Sequence, residues 1–235
     1  MARLARVVAV GVPHHITQRG NGRQFILTND AERTVYMELL RQAVQLHALT
    51  LLGYCLMSNH VHLVAIPHKP DSLANAFKLL HGRYASYWNV AHAKSGHAWQ
   101  GRFYSCPMDA AYLWEALRYT ELNPVRAGMV EIAESWMWSS AAAHCGTAEP
   151  DTCLSMESWR KVWSCKSWKE FLSVGQTNSQ LAAIRQCTHT GRPLGSAEFI
   201  EQLERATSRQ LAPRKGGRPA KTKINSNQGS IIFDP

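Results

Sequence analysis

Leu49-Thr50-Leu51-Leu52-Gly53-Tyr54-Cys55-Leu56, then Met57-Ser58-Asn59, then His60-Val61-His62-Leu63-Val64-Ala65-Ile66: two apolar runs flank a three-residue break. Runs of this length and character read as strands, and the break between them reads as a hairpin turn. On a strand, residues two apart share a face. His60 and His62 therefore point the same way, while Val61 and Leu63 point into the opposite layer.

Working outward, Pro13-His14-His15-Ile16-Thr17-Gln18 reads as an earlier short strand, closed by the turn signal Gly20-Asn21-Gly22. A helix opens at Asn29 with Glu32 three residues on, a capping-box spacing. Val35, Leu39, Leu40, Ala43 and Val44 give it an apolar stripe. After the hairpin, Asp71-Ser72 starts a second helix with Leu73, Phe77, Leu80, Tyr84 and Tyr87 along one side. Trp99 to Cys106 reads as a fourth strand. A third helix, from about Asp109 to Leu122, is stopped by Asn123-Pro124, because proline disfavours helix for the residue before it. The order is β-α-β-β-α-β and then α. This predicts an α+β fold, a ferredoxin-like antiparallel sheet with helices on one face.

Past residue 130 the pattern is weaker. Trp136 and Trp138 are expected to cover the core, and Trp159, Trp163 and Trp168 to belong to a small helical region. Ser196 to Ser208 reads as a helix capped by Ser196, and Ile224 to Pro235 as an unstructured tail. The expected organisation is a main domain over 1–140, a helical region over 141–208 and a basic flexible tail over 209–235.

With 235 residues, 45% of them hydrophobic, the chain can build a core without disulfides. Its six cysteines contain no C-x-x-C pair and read as buried free thiols. No apolar run approaches the roughly 20 residues needed to cross a bilayer, and a signal-peptide core is lacking, so a cytoplasmic protein with no membrane partner is expected. The net charge of +9 is concentrated in two blocks. One holds Arg3, Arg6, Arg19 and Arg23; the other holds Arg209, Arg214, Lys215, Arg218, Lys221 and Lys223. Blocks of this kind suit a polyanion such as nucleic acid, although an inert basic surface is also compatible with the charge alone.

Two imidazoles side by side on a sheet can share a divalent metal, but a lone H-x-H is more often a pair of packed histidines. On the third helix, at about 100° per residue, Tyr112, Glu115, Tyr119 and Asn123 fall on one stripe beside the apolar Leu113, Ala116, Leu117 and Thr120. Tyr119 then sits at the margin of the core, where its hydroxyl could reach a metal and Asn123 could add an oxygen ligand. Ordinary packing of a helical tyrosine explains the same periodicity.

Several ordered motifs decide between these readings by resemblance. His60-Val61-His62 resembles the His-hydrophobic-His signature of HUH endonucleases. The stretch Arg118-Tyr119-Thr120-Glu121-Leu122-Asn123-Pro124-Val125-Arg126-Ala127-Gly128 resembles the tyrosine helix of REP-associated and other single-tyrosine insertion-sequence transposases. Further matches are Gly11 to Asn21, Trp99 to Phe103, Trp138-Ser139-Ser140 and Gly191 to Ser196. Ser58 stands where relatives often have proline, and Asn21-Gly22 where they often have Asn-Asn; both lie in turns.

This resemblance implies that His60 and His62 bind Mg²⁺ or Mn²⁺, that Asn123 occupies the place of a third ligand, and that Tyr119 is the nucleophile. It implies transposase chemistry on single-stranded, hairpin-forming DNA through a 5′-phosphotyrosine link. Tyr104 and Tyr112 compete as nucleophiles on proximity alone, but neither has a polar ligand-type residue four positions later. Arg19, Arg23, Arg102, Arg214, Lys215 and Arg218 are expected to contact DNA. Both a homodimer and a monomer fit the family, and a domesticated relative that binds repeated palindromes without cutting them is the alternative reading.

Overall fold

The computed structural model describes residues 6–212. The expected DNA contacts Arg214, Lys215 and Arg218, and the tail from Ile224, lie outside the described residues.

The hairpin forms as its sequence predicts: β2 (Leu49–Leu56) and β3 (His60–Pro67) are antiparallel. Its turn is held by the Ser58 carbonyl, which accepts from the amides of Ile26 and Leu27 at 2.9 and 3.0 Å. β1 (His14–Arg19) lies against β3 and carries β4 (Tyr104–Pro107) on its other edge. The resulting order is β2-β3-β1-β4, the ferredoxin-like arrangement. β4 is shorter than the expected strand. Only one isolated bridge, Gly20 to Trp99, precedes it. Trp99 instead turns its indole N–H to the His81 carbonyl at 3.0 Å and packs into the core, so the chain around it leaves the sheet plane.

Two long helices, α1 (Asp30–Leu46) and α2 (Ser72–Ala91), bury the sheet face that carries Ile16, Val61 and Leu63. The Asn29 cap is present: its side chain accepts from the Glu32 amide at 2.9 Å. The stripe that α1 buries is led by Tyr36, Met37 and Leu40, rotated from the expected Val35 and Leu39, which are only partly covered.

The opposite face of the sheet is covered as well, which the expectation of helices on one face did not include. α3 (Ala110–Glu121) lies over β2 and β3. It ends where predicted, and Pro124 then opens a single further turn, α4 (Asn123–Arg126), where its missing N–H is harmless. The chain continues through α5 (Ala141–His144), α6 (Glu157–Arg160) and α7 (Cys165–Val174). It then forms α8 (Asn178–Thr190) and α9 (Ala197–Thr207). α8 packs over β4 and β1, beside α3, so α3 and α8 share one face of the sheet with a seam between them. Ile184 of α8 is fully buried in the same core as Leu117 of α3.

The tryptophans after residue 130 do gather. Trp159 and Trp168 surround His144, and the Trp168 indole donates to Glu121 Oε2 at 2.8 Å. Glu121 Oε1 takes hydrogen bonds from Ser140 at 2.6 Å and His144 at 2.5 Å. This fully buried carboxylate ties the end of α3 to the segments that follow. Among the cysteines, all free, Cys55, Cys106 and Cys145 are buried, but Cys165 is exposed, contrary to expectation. No helix among the described residues is long and apolar enough to cross a membrane.

Candidate active site at the seam between two helices

β1 and β3 pair so that Thr17 stands opposite His62 and Arg19 opposite His60. Cross-strand partners share a face, and this is the face on which α3 and α8 lie. In the seam is a cavity of about 340 Å³, into which β1 presents His15, Thr17 and Arg19, and β3 presents His60 and His62. Tyr119 enters from α3, and Arg185, Thr188 and His189 enter from α8. Gln100, Tyr104 and Arg23 complete its wall.

Tyr119 is 6% exposed, and its ring meets His62 and His15 edge-on, with centroids 5.5 and 5.6 Å away. Its hydroxyl accepts from Arg185 Nε at 3.4 Å. The Arg126 guanidinium lies 4.3 Å from the ring centroid and also donates to the Tyr119 carbonyl. Two cations thus flank the phenol, one at its oxygen and one at its face.

The histidines are held by their Nδ1 atoms. His60 Nδ1 donates to Asn59 Oδ1 at 2.6 Å; the Asn59 amide nitrogen is turned to the Arg23 carbonyl, which fixes the oxygen toward His60. His62 Nδ1 is 3.0 Å from His15 Nε2. Burial lowers the His60 pKa to about 4, helped by the Arg19 cation. Burial also drives His62 well below the ordinary histidine value, with His60, His15 and Arg126 adding to the effect. Both rings are therefore neutral at pH 7, each with Nε2 as the remaining nitrogen. Neutral imidazoles are the metal-binding form.

Among the described residues no group of three His, Cys, Asp or Glu side chains gathers at a metal-binding spacing. Two nitrogen donors suit a divalent cation that completes its shell with water or phosphate oxygen. Asn123 is not brought into the cavity. Its amide nitrogen donates to the Tyr119 and Thr120 carbonyls at 3.1 and 3.3 Å, at the end of α3.

The remaining predicted residues divide. Arg19 and Arg23 line the cavity, but Arg102 lines a different one, of about 580 Å³, on the α2 side of the sheet. Tyr104 reaches the cavity and Tyr112 does not. The sequence reading assigned no role to His15, Arg126, Arg185 or Thr188. For His15 a signal existed: in a βαββαβ sheet β1 neighbours β3, so the histidines of the two strands can meet.

These features agree with the family comparison, in which residues 10–123 match the IS200-like transposases. The fold is similar to a solved structure described as a REP-associated tyrosine transposase bound to a REP hairpin. Identity is 16%, coverage is 62% of this chain and 86% of that one, and the TM-score is 0.54. A second solved structure, described as a transposase candidate from Deinococcus radiodurans R1, aligns at 17% identity over 50% of this chain and 95% of that one, with a TM-score of 0.36. No curated protein matches the chain. Arg126, Arg185 and Thr188 all lie beyond the matched segment.

Proposed function

We propose that this transposase cleaves and rejoins single-stranded, hairpin-bearing DNA with Tyr119 as nucleophile and with Mg²⁺ or Mn²⁺ held by His60 and His62. The observation that carries this reading is the packing of Tyr119 against His62 in one cavity, with an arginine at its hydroxyl.

A tyrosine hydroxyl, with a pKa of about 10, is a poor nucleophile at neutral pH. Arg185 at the oxygen and Arg126 over the ring stabilise the charge that develops as the proton leaves. The phenolate oxygen forms a bond to phosphorus, the bond from phosphorus to the 3′-oxygen breaks, and that oxygen takes up a proton to leave as a 3′-hydroxyl. A 5′-phosphotyrosine link remains. Rejoining runs the same exchange backwards, with a 3′-hydroxyl displacing Tyr119, so the phosphoester is conserved and no nucleotide is consumed. The cation, when bound, neutralises charge on the scissile phosphate and holds it in line. Arg19 and Arg23 on the cavity wall meet flanking phosphates. The hairpin preference rests on the family and on the ligand of the similar solved structure.

The test is a covalent-adduct assay. Hairpin oligonucleotides taken from the flanks of the protein's own gene are incubated with Mg²⁺ or Mn²⁺, then with chelator, and resolved under denaturing conditions. A metal-dependent shifted band is expected for the wild type and for Tyr104→Phe, and none for Tyr119→Phe. Undiminished adduct in Tyr119→Phe would reject the nucleophile. Tight binding without any adduct would favour a DNA-binding protein that does not cut.

A further inference from the structure

His62 Nδ1 does not end on a backbone carbonyl. It meets His15 Nε2 at 3.0 Å, and the two rings are parallel within 10°. The other nitrogen of His15, Nδ1, meets Thr188 Oγ1 at 2.7 Å. All three side chains are buried, at 5%, 2% and 4% exposure, and the threonine belongs to α8. The result is a closed chain of hydrogen bonds from a candidate ligand on β3, through β1, to a helix more than 120 residues further along the sequence, as the numbers 62 and 188 give directly.

Each link is shared by one proton, so the chain has two internally consistent directions. In one, His62 Nδ1–H donates to His15 Nε2, His15 Nδ1–H donates to Thr188, and His62 Nε2 keeps its lone pair. In the other, the Thr188 hydroxyl donates to His15 Nδ1, His15 Nε2–H donates to His62 Nδ1, and His62 carries its proton on Nε2, where it cannot ligate. The hydroxyl can rotate to serve either direction. His60 has no such freedom, because Asn59 Oδ1 can only accept.

We propose that His15 and Thr188 are positioning residues that fix His62 in the tautomer able to hold the divalent cation, so that α8 takes part in loading the site. The proposal rests on the reading of His60 and His62 as ligands. Thr188 matters because it offers an acceptor to His15 Nδ1–H. Without it, that buried N–H has no partner in the first direction, and the chain is biased toward the second.

The experiment is Mn²⁺ titration of the full chain without DNA, followed by electron paramagnetic resonance. It is paired with ¹⁵N NMR of the histidine tautomers with and without Mg²⁺, and with thermal melts. His15→Phe and Thr188→Val are expected to weaken Mn²⁺ binding by about tenfold to a hundredfold, the usual range for partners that orient a metal ligand. Thr188→Ser, which keeps the hydroxyl, restores binding, and His15→Gln, whose amide oxygen can accept from His62, restores part of it. In the wild type, Mg²⁺ should shift His62 fully to the Nδ1–H form. Thr188→Val that melts like the wild type and binds Mn²⁺ equally well would overturn the proposal while leaving the ligand pair standing. Failure of the wild type to bind Mn²⁺, or binding unaffected by His60→Ala and His62→Ala, would overturn the ligand pair and the proposal together.

Discussion

Gly53 of β2 faces Leu117 of α3 so closely that a methyl group at position 53 would overlap Leu117 Cδ1 and crowd the Ser140 hydroxyl. The glycine sits at an irregularity in the pairing of β2 with β3, between Leu51 and Gly53. A missing side chain there lets the tyrosine helix lie directly on the strand. Gly53→Ala should cost about 1–3 kcal/mol, the usual penalty for overpacking, and lift α3 from the sheet. Urea unfolding would read the loss of stability, and the rate of adduct formation at saturating DNA should drop with it. A variant as stable and as fast as the wild type would mean that α3 is not set by this contact.

Arg185 offers a cleaner separation of chemistry from folding, because it stands at the cavity wall and its Nε donates to the Tyr119 hydroxyl. Arg185→Ala should slow single-turnover cleavage by about a hundredfold to a thousandfold, as expected for losing a donor at a developing oxyanion. Hairpin affinity should change much less. Equal cleavage rates in the two proteins would remove Arg185 from the mechanism.

Glu121 is two residues from Tyr119 but does not line the cavity, and three donors depend on it. Glu121→Ala leaves Ser140, His144 and Trp168 without their acceptor inside the core. Breaking a buried charge network in this way costs about 3–5 kcal/mol. Denaturant midpoints would measure it; a loss below about 1 kcal/mol would show that the surroundings reorganise freely.

Acid should weaken the fold before it protonates most carboxylates. Burial pulls His14 down to about 4, against smaller opposing effects of backbone hydrogen bonds, and pulls His81 down to about 3. Unfolding returns both to the ordinary histidine range near 6.5. Below that value the unfolded chain binds more protons than the folded one, so stability falls as pH drops from about 6.5 toward 4. Each ring contributes a slope of about 1.4 kcal/mol per pH unit. His81→Gln, which can still bond the Tyr36 hydroxyl that His81 Nε2 now meets at 3.1 Å, should flatten the slope between pH 6 and 5 by about that amount. Parallel slopes would refute the account.

The parts of the molecule that follow local rules were legible in the sequence. Alternation gave the β2–β3 hairpin and the shared face of His60 and His62, and Asn123-Pro124 marked the end of α3. The strand expected from Trp99 begins only at Tyr104, because Gly101, at φ +65°, turns the chain between them. Arg185 and Thr188 were not legible for a different reason. On α8 they are ordinary polar positions of an amphipathic helix, and only the docking of that helix onto β4 and β1 turns them inward. Asn123 shows how one spacing from Tyr119 can serve two purposes. Four residues on, a side chain can reach a ligand site or fold back onto the carbonyl of Tyr119, and here it does the latter.

The seam between α3 and α8 also has a meaning in time. The histidines and the tyrosine are all synthesised by residue 119, whereas Arg185 and Thr188 are added only some seventy residues later. At about 5–20 residues per second, that gap lasts several seconds, during which a growing chain holds Tyr119, His60 and His62 without the helix that closes their cavity. On the proposed function, a chain made in this order carries its candidate nucleophile and ligands before the helix that completes their cavity, and the proposed cutting centre is whole only once α8 has docked.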